Sequence, residues 1–154
     1  MWMIFWVIVL VAADQALKFI VSSSVKFSGD VALIPHLLDI TYVENRGAAF
    51  GILQNHRWLF VAFALVIISL FIYLIKRKKI VNKMFLLSAV LIIAGGVGNF
   101  IDRLVLGYVV DYIKLSFFSP VCNFADYCIT IGTAILLIYI MFLHKDDKNQ
   151  EQIL

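Results

Sequence analysis

Four long apolar stretches dominate the sequence and limit the folds that are open to it. They run at about 3–21, 58–75, 85–101 and 124–143. A helix needs about 20 apolar residues to cross a bilayer, so each stretch is a candidate transmembrane helix. Because 63% of the residues are hydrophobic, an ordinary soluble domain is excluded. We therefore predict an all-α membrane protein with four transmembrane helices, forming a single integral membrane domain over residues 1–154.

Polar residues modify two of these stretches. The first has no basic residue before its apolar core, and Asp14 and Lys18 interrupt its second half. This pattern predicts a retained helix, because a cleavable signal peptide has a basic start and an uninterrupted apolar centre. The third stretch is short, contains Gly95 and Gly96, and ends in polar residues. It predicts a helix that tilts or continues beyond the hydrocarbon.

The charges between the apolar stretches predict the orientation of the chain. The basic run Lys76-Arg77-Lys78-Lys79 is followed by Lys83 with no acidic residue among them, and such a loop stays cytoplasmic. The net charge of +3 comes mostly from this loop and reflects topology, so we predict no nucleic-acid binding. With four spans, both termini are cytoplasmic. The expected inner segments are 76–84 and 144–154, and the expected outer loops are 22–57 and 102–123.

The first outer loop is predicted to contain a small β-rich module between helices 1 and 2. Val31-Ala32-Leu33-Ile34 and Asp39-Ile40-Thr41-Tyr42-Val43 are short runs with β propensity, separated by Pro35-His36. A small sheet on the outer membrane surface accounts for both runs. An irregular loop is the alternative.

Three carboxylates, Asp102, Asp111 and Asp126, lie at or near membrane depth. An ionisable group there costs at least about 2.5 kcal/mol on insertion scales, which indicates a function. Asp126 has a structural alternative, since Asn123 and Asp126 fit the N-cap and N3 positions of a capping box. Asp111 lies between valines, Tyr112 and an isoleucine, and has no such role. Two converging carboxylates that share a proton can perform acid–base hydrolysis.

Asp14 and Lys18 are neighbours on one helix face because they are four residues apart. Either they form a self-neutralising pair, with Lys18 extending to the interface, or they support a site.

Two further polar groups accompany small residues. Asn45 precedes Gly47, a combination that allows backbone to approach a ligand but is also typical of a simple turn. Asn99 shares a helix face with Asp102, and Arg103 is one turn from Asn99. Because Asp102 and Arg103 are adjacent, each needs other partners; an ordered helix end is the structural alternative to a site.

Several hydrolase and nucleotide-binding motifs are absent from the sequence. There is no H-E-x-x-H, the three histidines are scattered, and no Gly-x-Ser-x-Gly or phosphate-binding glycine loop occurs. We therefore predict neither a metal site nor a cofactor. A hydrolase built from this chain would use carboxylates and water.

Five short motifs, in order along nearly the whole chain, resemble those of bacterial lipoprotein signal peptidases, also called type II signal peptidases. Each motif is weak alone, whereas all five together make the resemblance specific. They are Asp14-Gln15-x-x-Lys18, Asn45-x-Gly47-Ala48-Ala49-Phe50, Gly98-Asn99-x-x-Asp102-Arg103, Val109-Val110-Asp111 and Asn123-x-Ala125-Asp126.

The resemblance implies an aspartic endopeptidase whose paired catalytic aspartates fall on Asp111 and Asp126. The family's polar residues that bind substrate or support the site would correspond to Asp14, Lys18, Asn45, Gly47, Asn99, Asp102, Arg103 and Asn123. Two residues depart from the usual pattern and alter the expected pocket shape. Cys122 stands where an aromatic residue is common, and Phe124 is bulkier than usual.

The resemblance also implies the substrate and the location. The expected reaction removes the signal peptide of a prolipoprotein just before its diacylglyceryl-modified cysteine. The expected partners are such signal peptides and membrane lipids, with no cofactor. The implied protein is a multi-pass monomer of the bacterial cytoplasmic (inner) membrane, with its active site on the outer face.

Two other classes of protein compete with this interpretation. A small proton-coupled transporter subunit predicts carboxylates distributed across the membrane depth. Here Asp102, Asp111 and Asp126 map to the outer side, and only Asp14 lies within a span. A membrane scaffold predicts instead that replacing Asp111 or Asp126 destabilises the protein.

Overall fold

Four helices of the computed structural model are long and apolar enough to cross a membrane. The structure describes residues 2–47, 53–76 and 82–143, and within these ranges it confirms the predicted four-helix membrane architecture. The helices are α1 (Trp2–Ser23), followed by the short α2 (Val25–Ser28), α3 (Arg57–Lys76), α4 (Lys83–Val105) and α5 (Phe124–Ile138), which continues as a π-helical turn over Tyr139–Leu143.

Some sequence predictions lie outside the described residues. These are the Ala48-Ala49-Phe50 part of the second motif, most of the basic loop 76–84, and the tail 144–154.

Helix α4 is the central element, since α1, α3 and α5 all pack against it. Half of the residues in the apolar stretch of α4 are buried inside the protein, whereas less than a fifth are buried in each of the other three helices. Glycines allow the close approach of α5: a Cβ on Gly95 would overlap the backbone oxygen of Ala125, and one on Gly132 would lie 2.9 Å from the Ile92 side chain. Small residues at such interfaces are the usual way for membrane helices to pack closely.

A four-stranded antiparallel sheet, ordered β1-β2-β3-β4, lies at one end of the helices. Its strands are β1 (Val31–Ile34), β2 (Leu38–Asn45), β3 (Val109–Leu115) and β4 (Phe118–Cys122). The first two strands lie in the predicted β-rich runs. The prediction of a module between helices 1 and 2 was incomplete, however, because half of the sheet comes from the loop between α4 and α5.

The pairing of β2 with β3 brings two separate motifs together. Asn45 is the register partner of Val109, and Val43 is the partner of Asp111. Asn45 and Asp111 are therefore diagonal neighbours on one face of the sheet, where side chains two positions out of register can still meet.

Two apolar clusters hold the ends of the molecule. The first cluster lies at the end of the bundle remote from the sheet and contains the buried rings of Phe71, Phe85 and Tyr139. Val110 and Tyr112 of β3 pack with residues of α1 and α2 in the second cluster, which fixes the sheet against the helices.

Candidate active site

The N-terminus of α5 is held by side chains from β3 and α1 and by its own N-cap residue. The first N–H groups of a helix have no partner within the helix and need one from elsewhere. Here Phe124 N–H donates to Tyr112 Oη (3.3 Å), Ala125 N–H to Asp14 Oδ1 (3.1 Å), and Asp126 N–H to Asn123 Oδ1 (2.9 Å). The first turn of α5, which carries Asp126, is thereby fixed in position.

Asp126 completes the capping box that the sequence predicted. Its Oδ2 accepts from the backbone N–H of Asn123 at 3.1 Å. Its Oδ1 accepts from Asn99 Nδ2 at 2.8 Å. The helix N-terminus favours a negative charge at this position. Asp126 is nevertheless not confined to capping, because it also lines a pocket.

Asp111 lies in β3 and is only 1% exposed. Each of its carboxylate oxygens accepts a hydrogen bond from an amide: Oδ2 from Asn45 Nδ2 at 2.7 Å and Oδ1 from Asn123 Nδ2 at 2.6 Å. Burial and the negative charge of Asp126 raise the pKa of Asp111 to about 7, against the lowering effect of the two amides and of Lys18. The carboxyl can therefore hold a proton near neutral pH.

Asn123 joins the two aspartates. It caps Asp126 through its own Oδ1, while its Nδ2 donates to Asp111 and, at 3.2 Å, to Asn99 Oδ1. Because Asn123 is fully buried, the three groups have little freedom to separate.

Asp111 and Asp126 face a common pocket of about 700 Å³. Its other walls are mainly apolar side chains of α3, α4 and α5 and of the β3–β4 hairpin, including Phe60, Phe63 and Phe117. A largely apolar cavity with a few convergent polar groups is typical of a ligand site.

Asp14, Lys18 and Asp102 form a buried ion cluster behind the aspartates. Lys18 Nζ lies 2.9 Å from Asp14 Oδ2 and 3.0 Å from Asp102 Oδ2, and it donates to Asn99 Oδ1 at 2.9 Å. Lys18 is 3% exposed, so it does not extend to the interface. Of the two alternatives for this pair, the geometry agrees with support of a site.

Arg103 and Asp102 point to different partners, as adjacent helix residues must. The Arg103 guanidinium donates to the backbone oxygens of Asn99 and Gly47, both at 3.3 Å, and stacks over the Phe60 ring at 4.7 Å. Gly47 N–H in turn donates to Asn45 Oδ1 at 2.9 Å. The turn that the Asn45–Gly47 spacing suggested is therefore present, and Arg103 holds it beside the pocket.

Two polar residues were not predicted to take part in the site: Gln15, which appears only within the first motif, and Tyr112. Gln15 Nε2 donates to Asp14 Oδ2 and Asp102 Oδ1, at 3.2 and 3.0 Å, and so closes the ion cluster. An amide beside an acid inside an apolar span was the available signal. Tyr112 was treated only as part of the apolar surroundings of Asp111, and no sequence pattern indicated its bond to α5.

All ten residues predicted for the site belong to this one network. Its carboxylates are gathered at the sheet end of the helices, not spread along them as a transporter pathway would require. Within 2–47, 53–76 and 82–143, no three His, Cys, Asp or Glu side chains form a group that could hold a metal ion.

The chain is similar in sequence and in fold to known bacterial proteins. The family model for signal peptidase (SPase) II matches residues 6–142. A lipoprotein signal peptidase of Halothermothrix orenii is 43% identical over 135 residues, covering 87% of this chain and 91% of that protein. One from Clostridioides difficile is 38% identical over 143 residues, covering 92% and 96%. A solved structure described as a bacterial membrane enzyme superposes with a TM-score of 0.85 at 33% identity, covering 96% of this chain and 90% of that one.

Proposed function

The chain belongs to the signal peptidase II family, and from that membership we propose that it is an aspartic endopeptidase whose catalytic pair is Asp111 and Asp126. As a multi-pass bacterial membrane peptidase of this family, it removes signal peptides from prolipoproteins. The proposed cleavage site is the peptide bond just before the diacylglyceryl-modified cysteine. The observation that carries the proposal is that both carboxylates face one pocket and both accept a hydrogen bond from Asn123, Asp111 from its Nδ2 and Asp126 from its backbone N–H.

The proposed chemistry needs one proton on the pair. We assign it to Asp111, whose pKa is raised to about 7 by burial and by the charge of Asp126. Asp126, at a helix N-terminus, is the ionised partner. Two acids in environments that separate their proton affinities can divide the acid and base roles.

Hydrolysis then follows in two steps. Asp126 takes a proton from a water molecule as the water oxygen attacks the scissile carbonyl carbon, and protonated Asp111 donates a hydrogen bond to the carbonyl oxygen. The resulting tetrahedral intermediate collapses when Asp126 gives the proton it took from water to the amide nitrogen and the C–N bond breaks, which leaves Asp126 ionised and Asp111 protonated as at the start. The products are a signal peptide with a new carboxyl terminus and a lipoprotein with a free amino group on its modified cysteine.

The supporting residues maintain this geometry. Asn45 and Asn123 hold the Asp111 carboxyl, and Asn99 holds Asp126. Arg103 keeps the Gly47 turn beside the pocket. The apolar walls suit the hydrophobic part of a signal peptide or the acyl chains of the modified cysteine, and the proposal includes contact with membrane lipids.

We further propose that both termini are cytoplasmic and that the sheet and the aspartates lie on the outer face of the inner membrane. The basic loop supports this orientation through the positive-inside rule. A lipidated cysteine is anchored at the outer leaflet surface, so its scissile bond would lie at the depth of the two aspartates. We propose that the enzyme acts as a monomer and needs no metal.

The test is cleavage of a purified diacylated prolipoprotein, with and without a metal chelator. Wild-type enzyme should cleave equally in both conditions. Asp111→Asn and Asp126→Asn should each lose about 10⁴-fold in rate, the upper range for a positioned acid or base, while remaining folded in the membrane. Full activity in either variant would remove the catalytic pair. Loss of activity with the chelator would require a metal site.

A further inference from the structure

Lys18 is buried behind the proposed catalytic pair, where its ammonium group has three acceptors. An ammonium group has three N–H donors. Those of Lys18 have three buried acceptors within 3.0 Å: Asp14 Oδ2, Asp102 Oδ2 and Asn99 Oδ1. Lys18 is not among the residues that line the pocket within the described part of the chain.

The two acids bonded to Lys18 each anchor the backbone directly before a catalytic aspartate. Asp102 Oδ2 accepts from Val110 N–H at 3.1 Å, one residue before Asp111. Asp14 Oδ1 accepts from Ala125 N–H at 3.1 Å, one residue before Asp126. Strand β3 and the first turn of α5 are thus tied to a single ammonium group through two equivalent bridges.

Resting on the function proposed above, we propose that Lys18 is a positioning residue that sets the separation between the Asp111 and Asp126 carboxylates. Asp14 and Asp102 can lie this close together only because the Lys18 ammonium lies between them. Without it, two buried carboxylates would repel each other, and a buried ion pair that loses one partner is strongly destabilised. The separation of β3 and α5 would then change.

A third link runs directly to the pair. The Asn99 amide accepts from Lys18 through Oδ1 and donates to Asp126 through Nδ2. Lys18 and, at 3.2 Å, Asn123 Nδ2 both donate to this Oδ1 and so fix which way the Asn99 amide faces. A neutral side chain at position 18 would remove the shorter of these two bonds, and the Asn99 donor to Asp126 would be held less firmly.

Lys18 also acts on the pair through its charge. The pH dependence of the rate therefore tests its role, because a residue that only stabilised the fold would not change it. The charge of Lys18 lowers the pKa of Asp111, opposing burial and Asp126. Removing it should move the alkaline limb of the pH–rate profile to higher pH. The charged and titratable groups that interact with Asp111 from the packed elements are Lys18 of α1, Arg103 of α4, Tyr112 of β3, Cys122 of β4 and Asp126 of α5.

The test compares Lys18→Met with Lys26→Met in the cleavage assay. Lys26 also pairs with an acid, Glu44 at 3.3 Å, but both side chains are about one-third exposed and lie outside the network. Lys18→Met should lose about 100-fold in kcat, the effect of a misplacement near 1 Å. Its KM should stay within about twofold, since binding contacts are intact, and its alkaline limb should move upward. Lys26→Met should match wild type in all three quantities.

A folded Lys18→Met enzyme with wild-type kcat and an unmoved alkaline limb would overturn the inference. Because this variant removes a buried charge and can fail to fold, Lys18→Arg supplies a second test. It keeps the charge but cannot place one compact donor group at three acceptors, so kcat should fall by about tenfold with the alkaline limb unmoved. Wild-type kcat in Lys18→Arg would likewise overturn it.

Asp111→Asn, assayed in parallel, separates this inference from the proposed function. An inactive Asp111→Asn beside a fully active Lys18→Met would refute only the role of Lys18. An active Asp111→Asn would refute the catalytic pair itself.

Discussion

Both ends of the helix bundle contain an apolar cluster, but only the sheet end also buries a network of polar and charged side chains. At the end remote from the sheet, Phe85 is 3% exposed and its ring lies 5.9 Å from Phe71 and 5.8 Å from Tyr139. At the sheet end, Asp14, Asn99 and Asp111 are buried to a similar degree. Apolar packing tolerates many arrangements of similar volume. A buried polar network tolerates few, because each unsatisfied group is costly.

At the polar end, every buried polar side chain that the structure describes has a hydrogen-bond partner. Among the described residues, no buried side-chain nitrogen or oxygen lacks a hydrogen-bond partner. We infer that the apolar end mainly supplies stability, whereas the polar end specifies the geometry that catalysis needs. Matched substitutions at the two ends can test this division.

The largest difference is expected between two asparagine N-caps. Asn123 caps α5 and bridges the aspartates, while Asn82 caps α4 at the apolar end, accepting from Met84 N–H at 2.9 Å. Loss of the cap should cost about 1 kcal/mol of stability at either position, and Asn123→Ala should cost more than Asn82→Ala because it also leaves buried acceptors unpaired. Only Asn123→Ala should also lose about 10³-fold in cleavage rate, because Asp111 loses a donor and the pair loses its link. Equal activity losses in the two variants would refute the division.

A smaller difference is expected between two glycines of the α4–α5 interface. A Cβ on Gly98 would lie 2.5 Å from Asp14 Oδ2, and one on Gly132 would lie 2.9 Å from Ile92 Cγ1. Both Gly→Ala variants should have lower melting temperatures. Gly98→Ala should also lose about 100-fold in kcat, since Asp14 holds the first turn of α5, whereas Gly132→Ala should keep its kcat at temperatures where it is folded. A fully active Gly98→Ala would show that the Asp14 anchor is dispensable.

The rate should depend on pH through the proton on Asp111. The pKa of this acid is raised to about 7 by burial and by the charge of Asp126, so the proton is present below that pH and is lost as the pH rises through it. The value of kcat/KM should therefore fall by about tenfold for each pH unit above the pKa of Asp111. Melting temperatures over the same range serve as the control. A rate that keeps rising well above neutrality would contradict the assignment.

The smallest effect is expected at Arg57, which lies outside every motif. Its guanidinium stacks over the Trp58 ring at 4.7 Å and approaches Gly107, not the aspartates. Arg57→Ala should change stability by no more than about 0.5 kcal/mol and the rate by about twofold or less. A large loss of activity would mean that the start of α3 takes part in the site.

The sequence alone predicts part of the fold. Long apolar stretches predicted the helices because length and hydropathy are local properties, and β1 and β2 followed from short runs with β propensity. Strand β3 was not predicted: Val109, Val110, Asp111 and Tyr112 are all buried, so the run lacks the alternation that reveals a half-exposed strand.

The site was predictable as a set of residues but not as a network. The motifs gave Asp14, Lys18 and Asp102, yet only the packing of α1 on α4 shows that one ammonium joins both acids. Likewise, the diagonal pairing of Asn45 with Asp111 depends on the register of β2 and β3. Neither relation is encoded within a single segment.

The most direct measurement is the titration of the Asp111 carboxyl, followed by ¹³C NMR in wild-type enzyme and in Asp126→Asn. If the two acids act as a pair, the wild-type pKa of Asp111 is about 7 and becomes lower in the variant, since burial remains but the negative neighbour is gone. The same pKa in both proteins would mean that the two side chains do not interact, and the proposed catalytic pair would have to be abandoned.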